Sequence, residues 1–207
     1  MKKDKGLLVV ISGPSGAGKG TICKELIKRN SDLWISVSAT TRMPREGEVE
    51  GKSYFFTSKE EFVNGIGEGN FFEHAEVYGN HYGTPKDKVF QRLDEGIDVV
   101  LEIDIQGALK VKEVYPQGVF IFILPPSMDE LKKRIIGRGS ETPESLMTRF
   151  TSAYEELNFV SRYNYAVIND DVMLATEKIE HILVAEKCRV DRLGDSIINK
   201  ICQEEPK

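Results

Sequence analysis

The chain has 207 residues, 40% of them hydrophobic and 29% charged, with a formal net charge of −5. That length supports one sizeable core with small inserts, and no run of about 18 apolar residues could span a bilayer. The acidic balance argues against a nucleic-acid or acidic-membrane surface, since both partners favour a basic face.

The amino-terminal MKKDKG lacks the apolar region of a signal peptide, so the expected compartment is the cytoplasm. The first element is the unbroken apolar run Leu7, Leu8, Val9, Val10 and Ile11, as expected of a strand buried on both faces. It leads into GPSGAGKGT, residues 13–21, which fits the phosphate-loop pattern G-x-x-x-x-G-K-[ST] at Gly13, Gly18 and Lys19. In such a loop the backbone N–H groups, here those around Pro14, Ser15, Gly16 and Ala17 as well, ring the phosphates while the lysine ammonium meets the β and γ oxygens. A nucleoside triphosphate is the ligand this implies. Gly20 stands in the Ser/Thr slot and has no hydroxyl for Mg²⁺. Either Thr21 shifts into that role, or the metal relies on phosphates and water. A helix over 20–29 follows, with Ile22, Leu26 and Ile27 at helical spacing and its positive dipole end toward bound phosphate. Cys23 on this helix reads as a small buried residue. With Cys188 and Cys202 it lacks metal-ligand spacing or a disulfide framework, so reduced thiols are expected.

The run WISVSAT, residues 34–40, predicts a second strand. Residues 41–83 are rich in Gly, Tyr and Phe, with a capping box from Ser58 to Glu61 and a turn at Gly79 and Asn80, predicting a small, mostly β insert. DVVLEID, GVFIFIL and YAVIN are three further strands, each met by helical patterns, so a parallel sheet with helices on both faces is expected. Ligands of such sheets bind beyond the carboxyl ends of the strands. Glu102 and Asp104 lie on one face at such an end, since strand side chains alternate with period two. Between 126 and 157 a second capping box, Ser127 to Glu130, starts a helix that stops at Gly137, and Thr142 with Pro143 starts another. That second helix carries Leu146, Phe150, Ala153 and Leu157 on one face. Glycines either side of Arg138 suit a lid, because they permit the backbone changes of closure. Asn169 and Asp170 end the last strand, where a turn starter is an equal reading. His74, His81 and His181 have no metal-ligand spacing.

The segment SVSATTRMPREGEVEGKSYFF resembles the S-x-S-x-T-T-R-x-P-R-x-G-E-x-x-G-x-x-Y-x-F segment of guanylate kinases, with Ser38, Arg42, Arg45 and Tyr54 at matching positions. FFEHAEVYGNHYGT continues the match with Glu73, Tyr82 and Thr84, followed by LEIDIQGA, the lid-like LKKRIIGRG and VINDD. The resemblance runs from about residue 6 to about residue 185. It implies an α/β P-loop NTPase fold whose core is 6–37, 85–126 and 158–185, with a GMP-binding insert at 38–84, a helical lid at 127–157 and a helical tail at 186–207. It implies the reaction ATP + GMP = ADP + GDP with Mg²⁺ as cofactor, dGMP use and the choice of monomer or homodimer being left open.

By resemblance, Arg42, Arg45, Tyr54 and Tyr82 hold the GMP phosphate, as paired guanidinium groups and tyrosine hydroxyls suit a dianion. Glu73 accepts from guanine N1–H and the N2 amine, while Ser38 and Thr84 meet O6 or its neighbourhood. Adenine would turn a lone pair toward Glu73, a mismatch that can discriminate by about 10⁴. Asp104 is expected on the metal side, through water, and Glu102 on the GMP side. Lys19, Arg134, Arg138 and Arg149 are the candidates to neutralise the moving phosphoryl group, and adenine of ATP is expected near Asn169. Arg149 has a competing reading as a surface partner of Glu144, Glu155 or Glu156. A non-catalytic scaffold resembling these enzymes would have a degraded phosphate loop, whereas Gly13, Gly18 and Lys19 are present. Another nucleoside or sugar-phosphate kinase draws some support from GKGT, and Ser38, Glu73 and Thr84 argue against it.

Overall fold

A computed structural model describes residues 5–77, 79–136 and 143–193, giving the backbone alone for 77 and 143–149. Strand β1 (Leu8–Ser12) leads to α1 (Lys19–Arg29) and β2 (Leu33–Ile35). Next come β3 (Ala39–Thr40), β4 (Phe55–Phe56), α2 (Lys59–Gly67) and the antiparallel pair β5 (Phe71–Val77) and β6 (Asn80–Pro85). The remainder is α3 (Lys86–Asp94), β7 (Asp98–Glu102), α4 (Ile105–Val114), β8 (Val119–Leu124), α5 (Met128–Ile136), α6 (Pro143–Glu156), a 3-10 segment (Leu157–Arg162), β9 (Tyr165–Ile168) and α7 (Val172–Lys187).

Five strands form a parallel sheet in the order β2-β7-β1-β8-β9. Its two faces follow from the period-two alternation of continuous apolar runs. Val9 and Ile11 pack with Ile22 and Leu26 of α1 and Ala175, Ile179 and Leu183 of α7. Leu8 and Val10 pack on the other face with Val89 and Leu93 of α3 and Ala108 and Val111 of α4. Burial of β1 on both faces puts it at the centre, and the phosphate loop leaves its carboxyl end.

The sheet departs from the sequence reading at WISVSAT. Instead of one strand, β2 stays in the parallel sheet, pairing Leu33 with Asp98, whereas β3 joins a second sheet of order β4-β3-β6-β5. Ser36 still donates its N–H to Val100, but Ser36 and Ser38 give the chain no apolar face on which to continue, and Thr40 pairs instead with Tyr82 and Phe56. The capping box forms at Ser58, whose hydroxyl accepts from the Glu61 N–H while Glu61 returns the bond. At α5 half of the expected box is present, Ser127 Oγ accepting from the Glu130 N–H at 3.1 Å, and the Glu130 carboxylate turns to Arg134 instead. Ala153 of α6 packs on Leu131 and Ile135 of α5, joining these helices. The Gly137 stop, Thr142, Arg138, the tail from 194 onward and Cys202 lie outside the described residues, as do the side chains of Glu144, Leu146 and Arg149. No helix among the described residues is long and apolar enough to cross a membrane.

One close approach sets up the start of β1. A Cβ on Gly6 would lie 2.0 Å from the carbonyl oxygen and 2.5 Å from the carbonyl carbon of Ile97, both backbone atoms. Gly6→Ala is therefore expected to lower unfolding free energy by about 3 kcal/mol. Urea melts giving the same midpoint and slope for both proteins would contradict the packing described.

Candidate active site

The loop between β1 and α1 takes its shape from glycines in left-handed backbone. Gly16 has φ 88° and Gly18 φ 93°, and Gly13 at φ 144° approaches so closely that a Cβ there would sit 2.3 Å from the Ile123 carbonyl. Gly18 is the N-cap of α1 and supplies no side-chain cap, and no acidic residue occupies the first turn. The leading N–H groups are thus left for an anion, which the positive end of the helix dipole also favours. Lys19 folds back across the loop, its Nζ donating to Gly13 O at 2.5 Å and Pro14 O at 3.2 Å. Those carbonyls take the ammonium bonds that phosphate oxygens would accept.

A cavity of about 240 Å³ lies between this loop and the carboxylates of Glu102, Asp104 and Glu156. Glu102 faces the Gly20 slot, its Oε1 being 3.2 Å from where a Cβ on Gly20 would stand. Cys23 is buried behind it, and burial, with Glu102 adding, pushes its thiol far above the ordinary range, so it is an inert core residue. Asp104 caps α4, its Oδ1 accepting the Gly107 N–H at 2.7 Å. Glu102 and Asp104 both line the phosphate-loop cavity, Glu102 beside the Gly20 slot and Asp104 near Glu73 as well.

Thr21 lines a different cavity of about 330 Å³, with Gly16, Gly18, Arg134 and Asn169. Glu102 and Asp104 line the other cavity. Asn169 is no turn starter, since its Nδ2 donates to Ala17 O at 2.7 Å and braces the loop, while Asp171 caps α7. Its Oδ1 is buried without a hydrogen-bond partner among the described residues. Arg134 reaches the Asn169 carbonyl with Nη2 at 3.2 Å and Glu130 with Nε at 3.0 Å. A larger cavity, about 760 Å³, lies at the opposite end of the sheet beside Leu7, Asp98 and Gly118, away from the phosphate loop.

The second sheet gathers the other group. Arg42 forks onto Glu48, with Nη2 2.7 and 3.0 Å from its two oxygens, and donates from Nη1 to Met43 O. Its carbon centre lies 5.4 Å from the Tyr54 ring, which meets Tyr82 edge-on at 5.9 Å. The Arg45 N–H also donates to Glu48, at 2.8 Å. The bond to Glu48 raises the guanidinium of Arg42, and the same bond holds Glu48 below the usual carboxylate range. Ser38 is half-buried where the chain enters this sheet, its carbonyl accepting from Phe55.

Glu73 of β5 accepts from the Thr84 hydroxyl at 2.7 Å. That bond places the Thr84 hydroxyl beside the carboxylate expected to read guanine. Burial raises the Glu73 carboxyl, the Thr84 bond opposes this, and nearby Asp104 adds to it. Gly107 leaves the room: a Cβ there would meet Glu73 Cγ at 3.3 Å and Oε2 at 3.4 Å. The amino end of α4 thus joins the two groups, touching Glu73 through Gly107 and the loop cavity through Asp104.

Glu48, Gly107 and Glu156 were not singled out from sequence as site residues. The signal for Gly107 was a glycine inside a helical run, which marks close approach. Glu48 is the glutamate of the quoted R-x-P-R-x-G-E pattern but was assigned no role, and Glu156 shows as one of many charges on a helix. Among the described residues no three His, Cys, Asp or Glu side chains group as an all-protein metal site.

A family model described as guanylate kinase matches residues 5–186. The guanylate kinase of Clostridium tetani is 69% identical over 195 residues, spanning 94% of this chain and 93% of the relative. That of Clostridium acetobutylicum is 70% identical over 195 residues, with the same shares covered. A crystal structure of guanylate kinase from Anaplasma phagocytophilum matches with a TM-score of 0.72 at 36% identity, over 92% of this chain and 90% of that one.

Proposed function

The chain belongs to the guanylate kinase family, and we propose that it transfers the terminal phosphoryl group of ATP to GMP, giving ADP and GDP. Such transfer asks little covalent chemistry of a protein and much positioning and charge neutralisation. The GMP phosphate is already an anionic nucleophile, so no general base is required. On the donor side the backbone N–H groups of residues 15–21 cradle the phosphates, and Lys19 exchanges the Gly13 and Pro14 carbonyls for phosphate oxygens. Adenine lies toward Asn169, whose buried, unpartnered Oδ1 supports an acceptor role there. Arg134 on α5, with Arg138 and Arg149 in the lid at 127–157, neutralises the group in flight and shuts out water.

On the acceptor side, the insert at 38–84 supplies Arg42, Arg45, Tyr54 and Tyr82 for the GMP phosphate, with Glu48 presetting the Arg42 fork. Ser38 reaches O6, and Thr84 acts through Glu73. The observation that carries the guanine assignment is Glu73 itself, a half-buried carboxylate with Oε1 held by Thr84 and Oε2 over the gap left by Gly107. Two donors side by side, as on the N1–N2 edge of guanine, match such an acceptor.

Glu102 and Asp104 offer the hard oxygen donors that suit Mg²⁺, which is commonly held by one or two carboxylates together with substrate phosphates and water. When bound, Mg²⁺ would draw charge from the donor phosphates and fix their orientation. Gly20 contributes no side-chain ligand, and Glu102 Oε1 lies 3.2 Å from where a Cβ on Gly20 would stand.

The test is a coupled assay with Mg-ATP and each of GMP, AMP, CMP, UMP and dTMP. GMP is expected to be turned over fastest by orders of magnitude. Faster turnover of any other would overturn the acceptor assignment and leave the donor assignment standing.

A further inference from the structure

Glu156 sits against local preference. It ends α6 beside a second carboxylate, Glu155, with no basic residue in the last turn, although the carboxyl end of a helix disfavours negative charge. Its side chain nevertheless enters the phosphate-loop cavity, where it faces the Ser15 backbone N–H and lies near the Lys19 ammonium. Both are groups that a donor phosphate engages. Around it also stand Glu102 and Asp104, both carboxylates, and the buried Tyr163 hydroxyl, which lies beside Ser12. Among the described residues that face it, Lys19 is the one cation, joined by the N–H groups and dipole of the loop and α1.

The geometry points to Glu156 as a placeholder anion: in the nucleotide-free protein its carboxylate takes a position at the phosphate loop that a donor phosphate later claims, and it withdraws as the nucleotide enters. Because Ala153 of the same helix is packed on Leu131 and Ile135, withdrawal of Glu156 shifts α6 together with α5, which carries Arg134. Arrival of the phosphate and rearrangement of the helices that carry the lid arginines then become one event. A placeholder also keeps the loop satisfied while empty, at the cost of some donor affinity. This inference rests on the donor half of the proposed function, and on no part of the acceptor half.

The test measures ADP binding by calorimetry in EDTA, so that no metal intervenes, for the wild-type protein and Glu156→Gln. Removing the competing charge is expected to tighten ADP by about five- to tenfold, within the usual range of coupling between sites. Hydrogen exchange of residues 150–157 in nucleotide-free Glu156→Gln is expected to resemble that of the ADP-bound wild type. Unchanged or weaker ADP binding by a folded Glu156→Gln would overturn the inference, weaker binding meaning that Glu156 braces the loop for the nucleotide. If Glu156→Gln does not fold, Glu156→Asp carries the same test: its shorter carboxylate must bind ADP more tightly than wild type, and equal or weaker binding sinks the idea. Failure of the wild type itself to bind ADP would instead overturn the donor assignment.

Discussion

Glu73→Gln will lower kcat/KM for GMP by about 10³-fold, roughly 4 kcal/mol of transition-state stabilisation, with ADP affinity unchanged. The size follows from what the substitution leaves behind. In the empty site Glu73 already accepts one bond, from Thr84 at 2.7 Å, and burial raises its carboxyl. Two guanine donors would add bonds to the ionised form and draw that pKa back down. Glutamine keeps the shape, but one end of it becomes an NH₂. Turned toward guanine, that group sets a donor against a donor; turned toward Thr84, whose hydroxyl can rotate to accept, it leaves one neutral oxygen for two guanine donors, so either way the base loses bonds that the carboxylate would accept. Gly107 leaves no slack for the amide to turn away, since its missing Cβ is already filled by the Glu73 side chain at 3.3 to 3.4 Å. Steady-state kinetics on GMP with parallel ADP titration decide the matter. A GMP kcat/KM within threefold of wild type would show that the carboxylate does not read the base.

The donor half of the site was legible because it is local. Gly13, Gly18 and Lys19 lie within seven consecutive positions, the flanking strand and helix are announced by their own apolar periods, and the fold needs only to preserve that order. The acceptor half is different in kind. Glu73 is one polar residue in an alternating strand, and only the resemblance of its neighbourhood singled it out. Its physical meaning depends on Thr84 across the antiparallel pair and on Gly107 in a helix of the other layer, neither of which any spacing rule connects. Glu48 escaped notice for the same reason, since its bond to Arg42 is set by a turn rather than by a period. WISVSAT failed as a single strand because local β propensity says nothing about which sheet a residue joins. Ser36 and Ser38 were the only clue that the apolar alternation ends there. Glu102 and Asp104 line one cavity, and what sets their surroundings there, the cap on α4 and the Gly20 slot, is tertiary.

Lys19→Met is expected to reduce the rate of the chemical step by at least about 10³-fold while weakening ADP by a much smaller factor. The asymmetry arises from where charge changes. ADP presents its phosphates to the loop N–H groups and to the α1 dipole, which remain when Lys19 is lost, so ground-state binding keeps most of its support. During transfer, negative charge builds on the bridging oxygen and on the moving group, and a fixed ammonium within the loop needs no reorganisation to meet it. Lys19 is positioned for this by the loop itself. Its Nζ is anchored on Gly13 and Pro14 carbonyls, so the side chain already crosses the cradle before any nucleotide is present. Methionine has similar length and no charge, and it removes those two bonds as well, which makes some loosening of the loop part of the expected result. Single-turnover phosphoryl transfer and ADP calorimetry separate the two effects. Equal losses in both would assign Lys19 to uniform binding, and would shift the burden of charge neutralisation to Arg134 and the other lid arginines.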